Sequence, residues 1–161
     1  MMRVFCAAAL VLLCIFVTGC HGDVQKDEEG GVIMRAAIFP SGKGEAYLFE
    51  IKQDNTMLCS VGTRRNEDIT SRRYYRSVDN QGEVQLSSEE VQKIISLADE
   101  LRESAPLPDK VIATDSWDIV LSYHGEVYEA DYWSNPPDIF KELVDEIIRL
   151  SAIPVNIHGW A

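Results

Sequence analysis

Trp117-Asp118-Ile119-Val120-Leu121-Ser122-Tyr123, then His124-Gly125, then Glu126-Val127-Tyr128-Glu129-Ala130-Asp131-Tyr132-Trp133 is the stretch on which the fold turns. Apolar and polar residues alternate on both sides of a short interruption ending in glycine, the pattern of two paired strands joined by a tight turn. With His124-Gly125 as the loop, Tyr123 faces Glu126, Leu121 faces Tyr128, Ile119 faces Ala130 and Trp117 faces Tyr132. These side chains share one face and define the expected core side. The opposite face sets Asp118 against Asp131 and Val120 against Glu129. Like charges directly opposite destabilise a sheet unless something neutralises them.

Helices flank this hairpin. Before it, Ser87-Ser88-Glu89-Glu90 has the spacing of a capping box, in which a serine hydroxyl and the glutamate three residues on satisfy free backbone N–H groups. Val91, Ile94, Ile95, Ala98 and Leu101 then recur at helical spacing until Pro106 and Pro108. After the hairpin, Asn135-Pro136-Pro137-Asp138 predicts a capped start with prolines in the first turn, and Phe140, Leu143, Val144, Ile147 and Ile148 form the apolar face. Residues Ile153 to Trp160 read as an extended end that packs back, since Pro154 forbids continued helix.

Further out, Ala46 to Ile51 and Met57 to Gly62 are apolar runs joined through Asp54-Asn55, a second hairpin. Val32 to Phe39 is another strand candidate. Arg72 to Val78 has the aromatic content of a strand, closed by an expected turn at Asp79-Asn80-Gln81-Gly82. The expectation is therefore an α+β domain over residues 32–161: a mainly antiparallel sheet built from two hairpins plus an extra strand, with two amphipathic helices packed on one face.

Three explanations fit the acidic face of Asp118, Glu129 and Asp131. Water or arginines from the Arg72 to Arg76 strand neutralise it, or a divalent cation does, or two of the carboxylates form a hydrolytic pair. A cation needs further oxygen ligands, and no calcium-loop spacing occurs. A hydrolytic pair needs a cleft that separates the two pKa values. Trp133 points away from the core aromatics and is a candidate partner contact. The arginines at 64, 65, 72, 73 and 76 form a basic cluster, and Arg72, Arg73 and Arg76 are candidates for gripping a carboxylate or phosphate, with internal salt bridging the competing role. His21, His124 and His158 offer no metal-ligand spacing, so neither metal nor cofactor is expected.

The chain starts with Met1-Met2-Arg3, continues through an apolar stretch from Val4 to Val17 and closes it with Val17-Thr18-Gly19-Cys20. These residues resemble a bacterial lipoprotein signal peptide with its lipobox; an ordinary secretory leader or a short membrane segment are the competing readings. A span needs about 20 apolar residues, more than this stretch supplies. The resemblance implies removal of residues 1–19 and a diacylglyceryl group on Cys20, which leaves the protein lipid-anchored at a bacterial cell membrane, facing outside the cytoplasm. Each buried CH₂ contributes about 0.8 kcal/mol, so two chains hold where one exchanges. Residues 20–31, polar and glycine-ended, are the expected tether, reaching about 35–40 Å when extended. Asp115-Ser116-Trp117 with Tyr132 to Pro136 and the Phe140 helix is loosely similar to uncharacterised domains on bacterial lipoproteins, a similarity that brings no activity with it.

With Cys6 and Cys14 in the leader and Cys20 lipidated, Cys59 is left without a disulfide partner and is expected inside the core. The net charge of −11 becomes one unit more negative once Arg3 is removed, which disfavours nucleic acid as a partner. The expected function is a membrane-anchored cell-envelope lipoprotein with a non-catalytic binding or structural domain, its partner an envelope protein or glycan. The alternative is an envelope hydrolase acting on glycan or peptide through Asp118, Glu129 or Asp131.

Overall fold

The structure, a computed structural model, describes residues 31–40, 44–104, 106–110 and 117–157. Val17, Thr18, Gly19 and Cys20, the expected tether up to residue 30 and the last residues from His158 lie outside the described residues. Strands β1 (Val32–Phe39), β2 (Glu45–Lys52), β3 (Thr56–Arg64) and β4 (Tyr75–Gln85) precede helix α1 (Ser88–Glu103). Strands β5 (Asp118–Tyr123) and β6 (Glu126–Asp131) follow it, and helix α2 (Asp138–Leu150) comes last. The strands form one antiparallel sheet in the order β4-β3-β2-β1-β5-β6. The fold is α+β, with one strand more than two hairpins and an extra strand would give. The additional strand is central, because β1 joins the β2–β3–β4 meander to the β5–β6 hairpin.

The β5–β6 register is the expected one, from Tyr123 opposite Glu126 to Asp118 opposite Asp131. His124 (φ 51°) and Gly125 (φ 80°) are both left-handed, the backbone that turns a right-twisted ribbon back on itself. At the β2–β3 turn, Asn55 takes φ 64° while Asp54 Oδ1 accepts from the Thr56 N–H at 3.0 Å.

The turn expected at Asp79–Gly82 does not form. Neither Asn80 nor Gly82 has a positive φ, and β4 runs through both, paired with Val61 and Cys59. The register skips Asp79 between Val61–Asn80 and Gly62–Val78, so the turn-like residues mark a bulge. Gly82 is there for space: a Cβ would lie 2.9 Å from the Ala152 Cβ, where the segment after α2 packs back on the sheet.

Ser87 caps α1, its hydroxyl accepting from the Glu90 N–H while the Glu90 carboxylate accepts from the Ser87 N–H at 2.9 Å. Val91, Ile94, Leu97, Ala98 and Leu101 are buried, Leu97 in the place expected of Ile95. In α2 the N-cap is Pro137, with no side-chain cap, so Pro136 and Pro137 precede the helix instead of occupying its first turn. Asn135 takes φ 47°. Phe140, Leu143, Val144 and Ile147 are buried, and so is Glu146, which the apolar spacing did not flag.

The buried apolar residues of both helices join one cluster with Met34, Ile38, Phe49, Met57, Ile119 and Leu121 from one face of the sheet. Cys59 is buried in the same cluster. The second face carries a smaller cluster of Ala37, Ala46 and Leu48, covered by Ile69 and Tyr74 from the β3–β4 connection.

Candidate partner-binding surface

Strand direction sorts the candidate residues by end. At one end Val32 pairs with Lys52, Thr56 with Gln85 and Tyr123 with Glu126. At the other, Phe39 pairs with Asp118, Asp118 with Asp131 and Arg64 with Tyr75. The 65–74 connection and Trp133 therefore both leave the sheet at the end opposite Val32, but the connection folds back over the second sheet face, where Thr70 and Arg72 line a groove that Val32 also lines. They are not adjacent: β4 and β6 are the two edges, five strand spacings or about 24 Å apart.

The acidic residues are occupied by other groups than those expected. Lys110 Nζ lies 2.8 Å from Asp118 Oδ2 and 3.2 Å from Glu129 Oε2. Burial opposes the Lys110 charge, but the hydrogen bonds and charges of the two carboxylates outweigh it and raise its pKa. The arginines expected here cannot serve: β4 begins only at Tyr75, leaving Arg72 and Arg73 in the connection before it, and β3, β2 and β1 separate Arg76 from β5. Asp131 does not face solvent but is 3% exposed. Its Oδ1 accepts from the N–H groups of Ser134 at 2.7 Å and Trp133 at 2.9 Å, while its own N–H donates to Ser134 Oγ. Asp131 is thus the residue that closes the turn into α2, a role legible in Asp-Tyr-Trp-Ser as an aspartate turn. One oxygen each of Asp118 and Asp131 is buried without a hydrogen-bond partner. Among the described residues, no three His, Cys, Asp or Glu side chains group to hold a metal.

Trp133 is 59% exposed, stacked edge-on against Tyr132 at 4.9 Å. Tyr132 departs from its expected core position and is 45% exposed. Backbone pairing does reach it, its N–H donating to the Trp117 carbonyl at 3.2 Å, but the Asp131 turn then swings its ring outward. It contacts the buried Trp117 edge-on at 6.2 Å, so the three rings step from core to surface.

The arginines divide by position. Arg64 lies over the Phe39 ring at 4.5 Å, a cation–π contact. Arg72 lines a groove of ≈ 850 Å³ between the 65–74 connection and the second sheet face. Arg65, Arg73 and Arg76 are exposed and make no ion pair among the described residues, so the competing role as internal salt bridges does not apply to them.

The groove itself had no clear sequence signal beyond Arg35, a charge inside an apolar run. Arg35 faces Glu50 across the strands and bonds it at 2.8 Å, with its side chain 11% exposed. Asp68 in the connection is held below its ordinary pKa by hydrogen bonds from the Thr70 side chain and backbone, helped by the Arg35 charge. Tyr75 fixes the groove floor: its hydroxyl donates to the Ser60 carbonyl at 3.0 Å, and burial pushes its pKa to about 12. The groove thus combines apolar Leu48, Leu58 and Val78 with charges of both signs, Lys52 and Arg72 beside Glu83 and the paired Arg35 and Glu50.

Comparison with protein-family models and with curated proteins finds no match to this chain.

Proposed function

We propose that this protein is a cell-envelope lipoprotein, held outside the cytoplasm by a diacylglyceryl group on Cys20, whose domain over residues 32–161 binds a partner without catalysing a reaction. The observation that carries the binding reading is that Arg65, Arg73 and Arg76, exposed and without an ion pair among the described residues, and the exposed Trp133 lie toward the end of the sheet opposite Val32, on its two edges. A tether entering at Val32 presents that end away from its anchor. No helix among the described residues is long and apolar enough to cross a membrane.

The hydrolase alternative loses support from the carboxylates themselves. Glu129 and Lys110 line a hollow of ≈ 610 Å³, but the Lys110 ammonium bridges Glu129 to Asp118, and Asp131 accepts backbone N–H groups. A general acid or nucleophile needs a carboxylate free to reach the substrate.

Fractionation of cells carrying Cys20→Ala tests the anchor. The variant is expected to leave the membrane fraction while giving an unchanged circular dichroism spectrum; a folded variant still in the membrane fraction overturns the anchor. Loss of partner capture in an Arg73→Glu/Arg76→Glu variant, with capture unaltered in Asp118→Asn, tests the binding assignment against the hydrolytic one.

A further inference from the structure

Strand β4 is a sheet edge of 11 residues, and Arg76 to Gln81 are all exposed. Edge strands in folded proteins are ordinarily kept short or covered, because their outward N–H and C=O groups template another strand. Here the edge borders the ≈ 850 Å³ groove, to which it contributes Val78, Gln81 and Glu83. Val78 is 48% exposed, an apolar contact facing outward at the edge of the groove. At the start of the strand stand Arg73 and Arg76, both without an ion pair among the described residues, and Arg72 lines the groove beside them.

From this juxtaposition we infer that β4 receives an extended, acidic segment of a partner protein as a seventh strand. Backbone hydrogen bonds to the edge supply affinity without regard to sequence, and alternate side chains of the added strand supply specificity. One set packs apolar groups over Val78 and the groove floor; carboxylates near one end meet Arg73 and Arg76. Arginine's planar fork suits a carboxylate bidentately, which favours acidic residues there. Two other occupants fit less well. Anionic lipid is disfavoured because Arg73 and Arg76 lie at and just before the start of β4, the end away from Val32, and a second copy would bring its own β4, which carries Arg76 beside Asp79 and Glu83 and not a run of carboxylates.

This inference rests on the binding half of the proposed function and not on the anchor, so it is tested separately from Cys20→Ala. Full-length protein in neutral detergent is titrated with an alternating Val-Glu peptide and, as control, an alternating Val-Lys peptide, with hydrogen exchange read by mass spectrometry. The expected result is slowed exchange over 75–85 with Val-Glu only, weakened at least tenfold in Arg73→Glu/Arg76→Glu. Both arginines are exposed, so the variant keeps the fold, which circular dichroism verifies. Equal protection by the two peptides, no protection of 75–85, or binding to phosphatidylglycerol vesicles lost in the same variant would each overturn it. So would a β4-protected dimer of the protein alone in solution.

Discussion

Glu146 shows how one residue acts through its surroundings. It lies on the buried face of α2, yet its carboxylate meets Lys93 of α1 at 3.0 Å and Arg149 at 2.6 Å. The Arg149 hydrogen bond, then that from Lys93, outweighs burial and lowers its pKa from 4.5 to about 2. A carboxylate depressed on folding stabilises fully above its unfolded pKa, and that contribution disappears as pH falls from about 4.5 to about 2. Glu146→Gln should therefore flatten part of the acid-side loss of stability seen in urea midpoints between pH 7 and pH 3. Glu146→Ala should cost about 2 kcal/mol at pH 7, less than for a fully buried pair, because Lys93 and Arg149 reach water when released. Asp131→Ala removes the acceptor for two backbone N–H groups in a buried turn. A loss of about 1–3 kcal/mol, with a red-shifted or altered Trp133 emission, is expected from denaturation followed by fluorescence.

Among the elements, α1 was legible from its ends inward. Its capping box satisfies donors that no tertiary contact supplies, and Ser87→Ala should lower stability by about 1 kcal/mol in thermal or urea unfolding. The hairpin of β5 and β6 was equally legible, because alternation and a His-Gly turn are both local. Strand β4 was not. Its Asp-Asn-Gln-Gly run has turn composition, but the partner β3 and the packing segment Ala152–Ile153 hold it extended. Glycine here serves close approach, so Gly82→Val should destabilise by about 1–3 kcal/mol through overpacking against Ala152. Gly62→Ala should be worse, since its Cβ would sit 2.1 Å from the Ser77 carbonyl oxygen, a backbone atom that cannot swing aside.

For the whole molecule, strand direction separates the Val32 end, where the proposed tether would enter, from the end that carries Arg76 and Trp133. In lipidated protein on vesicles, acrylamide should quench the emission that Trp133→Phe removes, while a quencher placed in the acyl chains should not. Lipid quenching of that component would mean that the domain lies folded over onto its membrane. By itself the sequence determined the α+β class, the β5–β6 register, the first helix and its cap, and the buried Cys59, because alternation, helical spacing and capping are nearest-neighbour physics. It also carried the residues up to Cys20 that resemble a lipobox, on which the proposed anchor rests. Only the tertiary structure decided that β1 is central, that Lys110 neutralises Asp118 and Glu129, and that a groove forms under residues 65–74. Each of these depends on segments far apart in the chain meeting through long-range pairing and burial, energies that no local pattern of residues encodes.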